Sequence, residues 1–181
     1  MTLWKIITIF VIKRMRDHIL EYCSVDIMEE HMFLDVIFDN ALLGVCYTME
    51  DGFIPAYNID LVIDKIAQNG DLTYQEALNV FNNDILDRHP MISFIKKSDE
   101  SEEELSDYNK EMLFLPDYNK NTLVGVKIQQ DRNVIAVYDD FMCVQSLMDD
   151  GLTEEDAIEH FEYNTRGSYV GENTPAFLTM F

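Results

Sequence analysis

Positive charge is scarce in this chain. Its 181 residues carry 13 Lys and Arg against 34 Asp and Glu, for a formal net charge of −21. Gripping a nucleic-acid backbone requires clustered Lys and Arg that displace condensed counterions, and no such cluster is present. Direct DNA or RNA binding is therefore disfavoured, as is binding to an anionic membrane surface. Cysteine is also scarce. Cys23, Cys46 and Cys143 form an odd set with no CxxC pair, so no disulfide framework is encoded and a reducing cytosol is the natural setting. The motifs of familiar chemistries are missing as well. There is no HExxH, no GxSxG, no phosphate-cradling glycine loop and no Cys–His signature, and His18, His31, His89 and His160 are scattered. No cofactor and no metal is expected. One apolar run, Leu3 to Ile12, precedes Lys13, Arg14 and Arg16. It is too short to cross a bilayer, and its charge order is the reverse of a signal peptide's. It reads as a buried strand or helix packed on the first of two internal repeats, with a membrane-proximal anchor as the lesser alternative.

What is present begins with enough apolar material for a core: 48% of residues are hydrophobic and 12% aromatic, which excludes wholesale disorder. The acids are grouped. Eleven lie between Asp17 and Asp64, nine between Asn133 and Thr165, and six between Ser98 and Asp107, each stretch without a Lys or Arg. Salt-bridge lacing of a helix needs both signs at i,i+4, so these faces are built otherwise. They serve either solubility alone or a surface that meets a basic groove.

A second pattern is repetition. Leu42, Gly44, Val45, Ile54, Tyr57 and Gly70 match Leu123, Gly125, Val126, Ile135, Tyr138 and Gly151 at a constant spacing of 81. After one dropped residue, Leu72, Thr73, Ala77 and Phe81 match Leu152, Thr153, Ala157 and Phe161. Each copy reads as two short strands around a tight turn, at Asp51-Gly52 and at Arg132-Asn133. A helix ending at Gly70 or Gly151 follows, then a second helix opened by Thr73-Tyr74-Gln75-Glu76 or Thr153-Glu154-Glu155-Asp156. The expected fold is α+β, a tandem ββαα repeat of two hairpin plus helix-turn-helix units with an extra N-terminal element. A helix at Asp26 to Asp39 precedes the first hairpin. The expected division is 1–95 for the first unit, 96–107 for an acidic linker, and 108–181 for the second unit with a C-terminal tail that has no counterpart in the first.

Two places offer candidate chemistry. Counted as a calcium-binding EF-hand loop, the Gly70 turn puts Lys65 and Ala67 at the first and third ligand positions, which removes the charge such a loop needs. Asp139-Asp140 and Asp149-Asp150 flank the first helix of the second unit. They could hold a metal or work as acid and base, but Asp139-Asp140 reads more simply as a helix cap. The remaining candidate is a partner-binding acidic surface made by Asp139, Asp140, Asp149, Asp150, Glu154, Glu155, Glu159 and Glu162. Duplex DNA presents about one negative charge per 1.7 Å, and rows of carboxylates on a folded surface can occupy a groove built for it.

The segments Tyr138-Asp139-Asp140, Asp150-Gly151-Leu152-Thr153-Glu154-Glu155-Asp156-Ala157, Phe161-Glu162-Tyr163-Asn164 and Gly171-Glu172-Asn173-Thr174-Pro175-Ala176-Phe177 resemble a small family of phage and mobile-element proteins of Firmicutes. The resemblance covers the last quarter to third of the chain. The first copy departs from it, with Asn58, Ile59 and Gln75 where the second has Asp139, Asp140 and Glu155. The whole chain also looks like the acidic phage proteins that act as anti-CRISPR inhibitors of the type II RNA-guided nuclease. This resemblance implies a non-enzymatic protein of the bacterial host cytosol. It would bind a basic, nucleic-acid-binding host protein such as a CRISPR effector nuclease with its guide RNA, and block DNA binding or cleavage by nucleic-acid mimicry. The alternative is a phage structural or adaptor protein that self-associates, for instance as a homodimer.

Overall fold

The computed structural model describes residues 15–20, 33–116, 118–129 and 131–181. Its centre is a closed six-stranded barrel in chain order, β1 (Leu42–Thr48), β2 (Gly52–Asn58), β3 (Ser93–Lys97), β4 (Leu123–Ile128), β5 (Val134–Asp139) and β6 (Ala176–Met180). β1 and β2 pair antiparallel, as do β4 and β5. β3 runs parallel to β2, and β6 runs parallel to β5. The barrel closes through antiparallel β3–β4 and β6–β1 pairs.

This arrangement corrects the expected tandem ββαα architecture. The hairpins do not head two separate hairpin-plus-helix units; they are staves of one barrel. The parallel strands explain the helices, because a parallel pair needs a long crossover connection. Between β2 and β3 run α1 (Ile59–Gly70) and α2 (Tyr74–Val80), the latter continued by a π-helical turn at Phe81–Ile85. A short α3 (Glu102–Leu105) lies between β3 and β4. Between β5 and β6 run α4 (Asp140–Asp149) and α5 (Glu154–His160), again with a π-helical continuation, Phe161–Arg166. Each half is thus strand, strand, helix, helix, strand. The tail does have a counterpart in the first half: β6 stands to β5 as β3 stands to β2. Stretch 96–107 holds the end of β3 and all of α3.

Equivalent residues do equivalent work in the two halves. Gly44 and Gly125 sit at φ +151° and +150°, where the strand register shifts. A Cβ there would come within 2.0 Å of the Thr179 carbonyl oxygen or 2.1 Å of that of Lys96, so only glycine lets the closing strands approach. The hydroxyls of buried Tyr57 and Tyr138 accept the amides of Leu34 (3.2 Å) and Leu115 (3.0 Å). Phe81 meets Phe94 edge-on at 5.1 Å, and Phe161 meets Phe177 at 5.2 Å. Asn58 and Asp139 each cap the helix that comes next, accepting from the amides of Leu61 and Met142.

The barrel interior is narrow and filled by Cys46, Ala56, Ile95, Ile135, Val137, Ala176 and Leu178. Lys127 faces the same way as Ile95 and Ile135, its cross-strand partners. It is only 4% exposed, and its ammonium is held 2.7 Å from the Asp51 carboxylate. Outside the barrel, α1 and α2 cover one apolar layer, including Tyr57, Val62, Ile63, Phe81 and Phe94. On the other side α4 and α5 cover Val126, Tyr138, Cys143, Leu147 and Phe161.

Some local expectations also change. The first glycine turn is made by Asp71, in the left-handed region at φ 50°, with Gly70 still inside α1; Asp tolerates that conformation through local hydrogen bonding. In the second half Gly151 takes it at φ 105°. Of the expected helix 26–39, residues 26–32 lie outside the described residues, and the rest is a 3-10 turn, Val36–Ala41, capped by Asp35. The Leu3 to Ile12 run also lies outside them. Among the described residues no helix is long and apolar enough to cross a membrane.

Candidate partner-binding surface

The eight candidate carboxylates divide into two groups. Asp139 and Asp140 belong to the fold. Asp139 is buried at the end of β5, with one oxygen 2.9 Å from the Met142 amide. Asp140 opens α4 and is nearly enclosed. It accepts from the Phe141 amide at 2.7 Å and from the Thr179 hydroxyl, and Arg166 lies 4.0 Å away. Burial pushes its carboxyl above the ordinary 3.8, against the pull of those hydrogen bonds and the guanidinium. Neither residue presents a carboxylate to a partner.

The other six are exposed. Asp149 and Asp150 sit at the C-terminal end of α4. Glu154 and Glu155 stand in the first turn of α5, where the helix dipole favours negative charge. Glu159 comes one turn later, and Glu162 leads into the π-helical turn, paired with Arg166. The helix takes this orientation because Ala157, Phe161 and Thr165, four residues apart, are buried. The acids therefore fall on the outward faces.

Two aromatic residues join this surface that the charge pattern alone did not mark. Tyr163 is 83% exposed and Phe141 71%. The spacing of the buried stripe does mark Tyr163, since position 163 lies midway between Phe161 and Thr165 and must face away from the core. A shallow open groove of about 310 Å³ runs beside it, lined by Leu152, Asp156, Glu159, His160, Tyr163 and Asn164. A second acidic surface surrounds α3, where Asp99, Glu100, Glu102, Glu103 and Glu104 border a hollow that also holds Lys120. Ser101 and Glu104 engage each other there in a capping box.

The Gly70 turn is a helix–turn–helix closed by a complete capping box between Thr73 and Glu76. Among the described residues no group of three or more His, Cys, Asp or Glu is placed to hold a metal ion. The described thiols, Cys46 and Cys143, are both buried. Burial raises both above their ordinary value, Cys143 to about 12, so they stay protonated near neutrality. Comparison with protein-family models, with curated proteins and with solved structures returned no match.

Proposed function

We propose that this protein is a phage-encoded, non-enzymatic inhibitor that acts in the bacterial host cytosol. Its partner is a basic nucleic-acid-binding enzyme, with a type II CRISPR effector nuclease and its guide RNA as the leading target. The observation that carries the reading is the outward face of α4 and α5. There Asp149, Asp150, Glu154, Glu155, Glu159 and Glu162 are all exposed, in a stretch from 133 to 165 without a Lys or Arg. Such a face offers a polyanion's charge on a rigid support, and it suits a groove that otherwise receives DNA. Association would be steered electrostatically and would weaken with salt.

The test is binding to the purified nuclease, with and without guide RNA, followed by a DNA-cleavage assay. Raising salt from about 0.1 M to about 1 M shortens the screening length from about 10 Å to about 3 Å, and the complex should weaken accordingly. The triple reversal Glu155→Lys, Glu159→Lys, Glu162→Lys should slow association about 100-fold at low salt. Absence of a complex at low salt, together with undiminished cleavage, would overturn the proposal.

A further inference from the structure

We propose that the groove beside Tyr163 is the receptor for one arginine side chain of the basic partner. This rests on the partner-binding reading above and names the side chain that the surface recognises. Asp156, Glu159, His160 and Tyr163 recur at three- and four-residue spacing, so they share one side of α5 and its π-helical extension. The Tyr163 ring is bare: the residue is 83% exposed and its side chain makes no hydrogen bond or ring contact among the described residues. The Glu159 carboxylate beside it has no partner among them either. Asp156 commits one oxygen to the Thr153 hydroxyl at 2.7 Å and keeps the other. A flat ring with two carboxylates along the same groove fits a planar, forked cation. A guanidinium stacks on the ring while its N–H groups reach the oxygens, whereas an ammonium is a compact, strongly hydrated point charge that gains less from the ring.

The duplication supplies an internal control. At the equivalent positions of α2 and its extension the first half has Asn79, Val80 and Asn83 in place of Glu159, His160 and Tyr163. There Asn83 turns its side-chain amide onto the Asn79 carbonyl at 2.8 Å. The first half keeps the backbone of the feature and lacks its ring and its free carboxylate.

The experiment titrates the protein with two labelled peptides of equal length, one alternating glycine with arginine and the other glycine with lysine, by fluorescence anisotropy. The arginine peptide should bind about fivefold more tightly. Tyr163→Asn, which installs the first-half residue, should bring the ratio to about one, Tyr163→Phe should keep it, and Glu159→Gln should weaken both peptides. Thermal melts check that each variant is folded. Equal affinity in the native protein, binding of neither peptide, or a preference that survives Tyr163→Asn would overturn the groove. The same variants on the purified nuclease separate the two ideas. An arginine preference without nuclease binding removes the proposed target and leaves the groove, while nuclease binding indifferent to Tyr163→Asn removes the groove and leaves the target.

Discussion

Where the first half carries Asn79, Asn82 and Asn83 along α2 and its π-helical turn, the second carries Glu159, Glu162 and Tyr163 along α5. On the opposite side of these helices both halves bury the same Ala and Phe, Ala77 and Phe81 or Ala157 and Phe161. The outward residues have diverged while the inward ones have stayed. A helix that only covers a barrel needs its buried stripe and its caps; the chemistry of its far side is free to vary unless something else uses it. In the first half that far side is used internally. Arg132, from the second hairpin, donates to the Asn82 carbonyl at 2.9 Å and to Asp87 at 2.8 Å. In the second half, Glu154, Glu155 and Glu159 make no such contact with the described residues.

The glycines put the equivalence of the two halves under the most severe strain. If the halves share one closing geometry, Gly44→Ala and Gly125→Ala should be equally ruinous. Each would drive a Cβ to about 2 Å from a backbone oxygen, where no side-chain rotation gives relief. A loss of about 4 kcal/mol or more is expected for each, read as unfolded or insoluble protein. Gly52→Ala, with open space around the new methyl, should cost about 1 kcal/mol for its positive φ alone. A markedly milder Gly125→Ala would show that the two closures are not equivalent.

Inside the barrel one equivalent pair differs in charge, Cys46 and Lys127. Asp51→Ala would leave the buried Lys127 ammonium without its partner and should cost about 3 kcal/mol in urea denaturation. Lys127→Met removes the charge, and the half-exposed Asp51 carboxylate still bonds the Thr48 hydroxyl. That change should be neutral within about 1 kcal/mol. Equal losses in the two variants would mean that the ion pair, and not the relief of a buried charge, holds this end of the barrel closed.

The strands and helices that the sequence shows plainly are those with strong local signals. Leu42 to Tyr47 and Val134 to Tyr138 are dense in branched and aromatic residues beside turn residues, and they fall in β1 and β5. What the sequence hid is the third strand of each half, and with it the barrel. β3 and β6 have only five residues each, too few to show a period. Phe94 lies 13 positions after Phe81 and Phe177 lies 16 positions after Phe161, so the repeat loses its constant spacing there. Parallel pairing and closure are long-range facts that local pattern does not carry. The acidic face was legible in its charge, but the commitment of Asp139 and Asp140 to the fold required knowing that β5 ends at a buried helix N-terminus.

The thiols offer a finer comparison. Cys46 points into the barrel and Cys143 lies on the buried face of α4, and burial raises both. An unfolded chain releases a thiol proton near the ordinary 9.0, while folded Cys143 holds its proton to about 12. Over that window the native state binds more protons than the unfolded one, so stability is complete below pH 9 and falls as pH rises. For Cys143 the slope approaches about 1.4 kcal/mol per pH unit. Denaturation measured from pH 8 to 11 should flatten by about that slope in Cys143→Ala, and should flatten in Cys46→Ala too, once their cavity costs are subtracted. A flattening in only one would show that the other thiol already meets water in solution.

The gentlest change bears hardest on function. Replacing Glu159, Glu162 and Tyr163 together by asparagine gives α5 the outward face of α2. All three side chains are exposed, and the only contact removed among the described residues is the i,i+4 pair of Glu162 with Arg166, a type of interaction that contributes about 0.3–0.5 kcal/mol. The melting temperature should therefore stay within a few degrees of the parent, because Ala157, Phe161 and the Thr153 cap are untouched. Binding to the nuclease, and the arginine preference in peptides, should both be lost. If the variant melts far lower instead, the acidic face has a structural role, and the contrast between the halves would reflect folding. If it melts as before and still inhibits, contact with the partner lies elsewhere, and the α3 surface around Glu102 and Glu103 becomes the face to reverse next.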